Sequence, residues 1–358
     1  MCVAHDAMTQ SDATDQSSNG AQKGDVMQPE LDPLTSTDVD VLLRQATSRL
    51  SAAGVDTPAN DAKLLLASAV QVSPAEVEKA KLLGRSLTQL LASSGALAGH
   101  DETAEINLDL SAAHVSEILD HFNTMLLRRQ SREPLQHITG HAPFRYLDLQ
   151  VGRGVFIPRP ETELVVQSAL DWIAEQQLTA ARVVDLCAGS GAIGLAVATE
   201  LPHAHVWAVE MDSTAASWTA RNRDALAEQY SDLMQRYELQ QADATNVLTL
   251  AALDNTVDVV ISNPPYIPET DIPEQEEVRE YDPNLALYGG SADGMMIPER
   301  IISRAWSLLR PGGLLVMEHD VTQPVRTRTY ATACGFIQAT THNDLTGRPR
   351  FLTAIKPR

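Results

Sequence analysis

The chain has 358 residues, 44% of them hydrophobic but only 4% aromatic, a globular composition that supplies two mostly aliphatic cores. Its 27 lysines and arginines stand against 47 aspartates and glutamates, and the formal net charge of -20 argues against a broad nucleic-acid surface. Cys2, Cys187 and Cys334 lie too far apart for a disulfide framework or zinc knuckle, and no apolar run is long enough to span a bilayer.

The opening MCVAHDAMTQSDATDQ has neither a basic nor an apolar signal region, so the cytoplasm is the expected compartment, without membrane attachment. Residues 1–35 are rich in Ser, Thr, Asp and Gln and read as a disordered acidic tail. From 36 to 135 the pattern is helical. DVLLRQATSRLSAAG stops at Gly54, TPANDAKLLLASAV starts with Thr-Pro, and Ser73, Pro74 and Glu76 form a capping-box start for the next helix. GALAGHDETAEINLDLS reads as a loop, after which SAAHVSEILDHFNTMLLRRQSRE restores a helical stripe.

Residues 136–160 form the expected connection, with FRYLDLQVGRGVFIPR as a β-hairpin. PETELVVQSALDWIAEQQL opens a domain from 161 to 358 as a helix. Strands in ARVVDLCAG, AHVWAVEM, YELQQADAT, VDVVISNPPYI and GLLVMEHD then alternate with helices, and GFIQATTHNDLTGRPRFLTAIKP adds an antiparallel edge hairpin. Such alternation predicts a seven-stranded, mostly parallel sheet covered on both faces, a Rossmann-like α/β fold beside a small helical domain.

Gly189, Gly191 and Gly194 lie between the first of these strands and its helix, where the backbone must turn tightly and approach a ligand. Glu210 ends the next strand, where its carboxylate can accept two ribose hydroxyls or simply face solvent. A phosphate-bearing cofactor favours a loop clear of acid, yet Asp185 immediately precedes this one. S-adenosylmethionine, with an ammonium and a sulfonium and no phosphate, fits that charge better. Asp243 falls at the following strand end, where its carboxylate or the adjacent amide can meet an adenine edge beside Ala244.

The segment ISNPPYI carries the sharpest signal. Pro264 and Pro265 stop the strand and stiffen the chain after it, so Asn263 and the Pro264 carbonyl offer two fixed acceptors for one NH2 group. Tyr266 adds a flat face for a planar acceptor. Amide nitrogen is a feeble nucleophile, so orientation rather than a strong base is the expected source of rate. This points to methylation of an amide or amino nitrogen.

Asn263-Pro264-Pro265-Tyr266, FIPRPETE at 156–163, DLCAGSGAIGLAVA at 185–198 and DPNLALYGGSADG at 282–294 together resemble the HemK/PrmC family of peptide chain release factor glutamine N5-methyltransferases. The resemblance runs from about residue 36 to the end and implies a class I methyltransferase fold. It further implies that Cys187, Ala188, Gly189, Ser190, Gly191 and Glu210 bind S-adenosylmethionine, with Asp243 and Ala244 beside the adenine. By the same resemblance Asn263 faces cofactor and substrate, residues 263–266 clasp the glutamine amide, and Phe156, Arg159 and Glu161 line the cavity. The partner it implies is a release factor, whose Gly-Gly-Gln loop enters the pocket while the helical domain helps to dock it; a monomer is expected. Cys187 and Ala188 replace the usual Gly and Thr, EHD at 318–320 replaces EHG, and the segment 223–257 is longer than in compact members.

Other readings remain at this point. An adenine or guanine amino-methyltransferase shares the clamp, but needs a phosphate track that the charge opposes. A noncatalytic binding module is opposed by the intact Asn263, Tyr266 and Glu210. His137 and His141 lack a third metal ligand and read as packing or surface groups, and Cys187 reads as a small packing residue rather than a nucleophile. Asp271, Glu274, Glu276 and Glu277 read as a solvated lid or a face for a basic partner.

Overall fold

The computed structural model describes residues 32–93 and 108–358, with side chains of the second stretch described from 112 onward. Most of the loop expected over 95–111, most of the acidic tail and Cys2 lie outside the described residues; the last four residues of that loop, 108–111, instead begin the helix Leu108–Gln130. One residue of the expected tail is packed: Leu34 is buried, and Asn123 holds both its backbone amide (2.8 Å) and its carbonyl (2.9 Å).

Leu34–Arg358 form one compact unit. Its N-terminal part consists of the helices Val39–Ala52, Pro58–Val70, Pro74–Leu82, Leu87–Ser93, Leu108–Gln130 and Leu135–Thr139. Asp38 caps the first by accepting from the Val41 amide, and Ser73 and Glu76 cap the third reciprocally, as their spacing predicts. Leu42, Leu50, Leu65, Leu66, Phe122 and Leu126 fill their common core, each contributing roughly 1.5–3 kcal/mol of burial. No described helix is long and apolar enough to cross a membrane.

A hairpin follows, β1 (His141–Phe144) against β2 (Leu147–Gln150), turning at Arg145, whose φ is 53°. It is shorter than expected, and residues 151–160 form no strand. Sterics explain the difference. A Cβ on Gly152 would lie 2.7 Å from the Trp218 ring, and Gly154, at φ +89°, lies equally close to Thr214, so this stretch is pressed onto a neighbouring helix.

The main sheet contains β3 (Arg182–Leu186), β4 (His205–Glu210), β5 (Tyr237–Gln241), β6 (Val257–Ser262), β7 (Leu309–Glu318), β8 (Ile337–Asn343) and β9 (Pro349–Ile355) in the order β5-β4-β3-β6-β7-β9-β8. Only β9 runs antiparallel to its neighbours. This is the expected class I methyltransferase arrangement. Alternate residues serve opposite cores: Val183, Val259, Ile261 and Val316 pack on one face, and Val184, Val260, Leu315 and Met317 on the other.

The chain moves outward from β3 through β4 to β5, then returns to place β6 on the other side of β3. A crevice opens at the carboxyl ends of strands where the order reverses in this way. The Gly-rich loop leaves β3 there, and the Asn-Pro-Pro-Tyr loop leaves β6 beside it.

Candidate active site

A cavity of about 690 Å³ occupies that crevice. Among the residues expected to form the site, Phe156, Arg159, Glu161, Cys187, Ala188, Gly189, Ser190, Glu210, Asp243, Ala244, Asn263, Pro265 and Tyr266 line it. Gly191 and Pro264 are not among its lining residues, and both are buried.

At the end of β3 the chain turns through positive φ at Cys187 (68°), Gly189 (59°) and Gly191 (86°), and Gly191 caps the helix Ala192–Glu200. A Cβ on Gly189 would meet no protein atom within 4 Å, so this position faces space a ligand can fill. Gly191 has the opposite role: its Cβ would come within 2.9 Å of both Leu195 and Thr219. Burial pushes the Cys187 thiol well above its ordinary range, which fits a packing residue and not a thiolate nucleophile.

Glu210 joins this loop to β4. Its Oε2 accepts the Gly189 amide and its Oε1 the Asp212 amide, each at 2.8 Å. Burial raises the Glu210 carboxyl above its usual range, against the lowering effect of these amides. Each oxygen retains acceptor capacity toward the cavity. Asp243 accepts instead from its own turn, taking the Thr245 amide at 2.8 Å and hydroxyl at 2.7 Å on Oδ1. Ala244 is buried next to it.

Asp185 departs from its expected part. Its carboxylate does not line the cavity but lies fully buried behind the loop, accepting the Gly194 amide at 2.9 Å. Burial raises it to about 7, with the Glu210 charge acting in the same direction. It supports the turn and is not placed to meet a cofactor ammonium.

On the acceptor side, Asn263 Nδ2 donates to Thr162 Oγ1 (3.3 Å), and Thr162 in turn donates to Glu318 Oε2 (2.7 Å). Tyr266 Oη donates to the other oxygen, Glu318 Oε1 (2.9 Å). Burial raises the Tyr266 phenol well above its ordinary value, and the Glu318 charge adds to the effect. The backbone of this loop is held too: the Tyr266 and Ile267 amides donate to the Leu287 carbonyl, and Gln323 Nε2 donates to the Tyr266 carbonyl at 2.8 Å.

These contacts give ALYGGSADG its physical meaning. A Cβ on Gly294 would stand 2.1 Å from the Tyr266 oxygen, and one on Gly289 1.9 Å from the Gly294 oxygen. The two backbones approach so closely that only glycine fits.

In FIPRPETE, Arg159 lies over the Phe156 ring, 4.8 Å from its centroid, and donates to Asp282 Oδ2 at 2.5 Å. Burial raises Asp282 to about 6 despite that partner. The acidic run is not simply a solvated face. Glu277, on the short helix Glu276–Tyr281, accepts from Arg129 on the helix Leu108–Gln130 and from Arg132 in the turn after it. The basic partner considered for this run is, at Glu277, within the chain itself.

Sequence reasoning passed over Thr162, Glu318 and Arg350, all of which line the cavity. Glu318 carried a usable signal: it is an acid at the end of a buried parallel strand, as Glu210 is. His137 is buried with Nε2 3.4 Å from the Val155 carbonyl, and exposed His141 lies 3.0 Å from Asp148. No group of three or more His, Cys, Asp or Glu side chains able to hold a metal occurs among the described residues.

A family model described as PrmC N-terminal domain matches residues 41–78, and one described as Conserved hypothetical protein 95 matches residues 136–283. A protein of Bifidobacterium longum named Release factor glutamine methyltransferase is 54% identical over 314 residues, which cover 88% of this chain and 98% of that protein. One of the same name from Corynebacterium glutamicum is 36% identical over 318 residues, 88% of this chain and 97% of that protein. A solved protein-(glutamine-N5) methyltransferase (release factor-specific) from Alicyclobacillus acidocaldarius aligns with 59% of this chain and all of its own, at 22% identity and a TM-score of 0.35.

Proposed function

The chain belongs to the release factor glutamine methyltransferase family, and we propose that its cavity carries out that reaction with S-adenosylmethionine as methyl donor and the glutamine of a release factor Gly-Gly-Gln loop as acceptor. One observation carries this reading: the loops after β3 and β6 open into a single cavity, with the Glu210 carboxylate in one half and the Asn263 amide in the other.

The donor set fits this cofactor. The Glu210 carboxylate suits a ribose diol, the open face of Gly189 lets a ligand approach the main chain, and Ala244 leaves room beside a flat base. When bound, S-adenosylmethionine supplies an electrophilic methyl carbon on a sulfonium centre.

The protein's own task is orientation. Asn263 Oδ1 and the Pro264 carbonyl accept the two N–H groups of the glutamine amide, and Tyr266 supports its plane. These contacts polarise the N–H bonds and hold the nitrogen in line, where it would face the methyl group that the cofactor supplies when bound. The nitrogen then releases one proton, which Asn263 or the Pro264 carbonyl passes toward solvent. Cys187, Ala188, Ser190 and Gly191 shape the cofactor loop, and Pro265 stiffens the clamp. The N-terminal helices are the surface we assign to docking of the release factor.

The reading is tested by incubating the protein with methyl-labelled S-adenosylmethionine and either purified release factor or nucleic acid, followed by mass spectrometric mapping. Label on the side-chain nitrogen of the Gly-Gly-Gln glutamine is the expected result. Label confined to nucleic acid would overturn it.

A further inference from the structure

The Asn263 amide can accept a substrate N–H only if its oxygen, not its nitrogen, points into the cavity. The two ends of a carboxamide are nearly equal in size and shape, so the surrounding hydrogen bonds must decide between them. Here the decision comes from a chain of three groups, of which Thr162 and Glu318 are buried. Asn263 Nδ2 faces Thr162 Oγ1, and Thr162 Oγ1 faces Glu318 Oε2 at 2.7 Å.

We infer that Glu318, at the end of β7, is a positioning residue that acts through Thr162 to fix which end of the Asn263 amide is offered to the substrate. The inference rests on the proposed role of Asn263 as an amide acceptor. An ionised carboxylate can only accept, and a threonine hydroxyl has one proton. Because that proton goes to Glu318, Thr162 has only lone pairs left for Asn263, and Asn263 must turn its NH2 group inward. Its oxygen is then left for another donor. The reverse orientation would set two acceptors against each other in a buried site.

Three further features keep the chain in this sense. Tyr266 Oη occupies the second Glu318 oxygen, so the carboxylate cannot swing away. Thr162 is the first residue of the helix Thr162–Glu175 and is 4% exposed, while Glu318 is 1% exposed, so water does not compete freely. Burial raises the Glu318 carboxyl, whereas the hydrogen bonds from Thr162 and Tyr266 and the Arg350 charge favour its ionised form. The same carboxylate therefore holds Asn263 through Thr162 and holds Tyr266 directly.

The test uses the full chain with release factor as substrate, measuring kcat, KM and the S-adenosylmethionine Kd by calorimetry. In Glu318→Gln the new amide can donate to Thr162, which frees the hydroxyl proton to capture Asn263 Oδ1. We expect kcat to fall roughly tenfold or more, with cofactor Kd within about twofold of wild type. Thr162→Val should cause a similar loss, and Thr162→Ser should recover at least about half of it on a logarithmic scale. The double variant should be little worse than either single one, because both cut the same chain.

If Thr162→Val keeps kcat within about twofold of wild type, or if Thr162→Ser is as impaired as Thr162→Val, the inference fails. It fails too if Glu318→Gln folds but loses cofactor affinity in proportion to kcat. Should Glu318→Gln not fold, the two Thr162 variants decide alone. Wild-type protein that does not methylate release factor would instead defeat the parent reading, before any variant is compared.

Discussion

Arg132 and Glu277, 145 positions apart, meet through two hydrogen bonds, Nε to Oε1 at 2.8 Å and Nη2 to Oε2 at 2.6 Å. Arg129 reaches the same carboxylate at 2.9 Å while its Nε holds Asp61 at 2.8 Å, so Glu277 joins a network rooted in the helical part of the chain. Gln275 and Val278, on either side, line the acceptor cavity. The helices are thereby tied to one wall of the pocket.

This network predicts a pH-dependent contribution to stability. Partial burial pushes the Glu277 carboxyl up, but hydrogen bonds from Arg132 and Arg129 outweigh it and hold it at about 2, below its ordinary 4.5. A depressed carboxyl stabilises the fold fully above its unfolded value, and that contribution disappears as pH falls through the folded value. Allowing for solvent screening, Glu277→Gln should cost on the order of 1 kcal/mol at pH 7. Denaturant unfolding at several pH values checks this, and a gap that stays constant from pH 7 down to about 2 would contradict it.

Asn263→Ala should lower turnover at least about tenfold with only modest loss of cofactor affinity, because the acceptor it removes serves mainly the substrate amide. Steady-state rates with release factor, alongside calorimetry, provide the check. Turnover close to wild type would remove Asn263 from the clamp.

Glu210→Ala should act on the other half of the cavity. It deletes the proposed ribose acceptor and frees the Gly189 and Asp212 amides, so cofactor affinity should fall by about tenfold or more. An unchanged calorimetric dissociation constant would reject the assignment.

Gly294→Ala would place a methyl group against the Tyr266 carbonyl at φ +67°. The expected cost is about 1–3 kcal/mol of stability. Because the displaced backbone belongs to the acceptor loop, kcat should fall more than cofactor affinity. A variant with wild-type melting temperature and turnover would show that the backbone yields there freely.

Both halves of the cavity were legible because they sit at strand ends and announce themselves locally: glycines after β3, and Asn-Pro-Pro-Tyr after β6. The fold class was legible from alternating apolar strands and helices. The role of Asp185 was misread because its direction depends on strand parity. It shares a side of β3 with Val183 and faces the helix Ala192–Glu200, whereas reading it as the last acid before the loop aimed it at the ligand. Thr162 and Glu318 were missed for another reason. They are 156 residues apart and meet only once β7 lies next to β6, so neither PETE nor EHD shows locally which side chain it will meet.

The two amides on Glu210 also bear on the kinetics of ligand entry. Because the carboxylate already fastens the Gly-rich turn to the start of the following loop, the conformational freedom of that turn is given up during folding and not again at each encounter. Cofactor association should then proceed in a single kinetic phase, with an observed rate that rises linearly with ligand concentration and no plateau from a slow loop-ordering step.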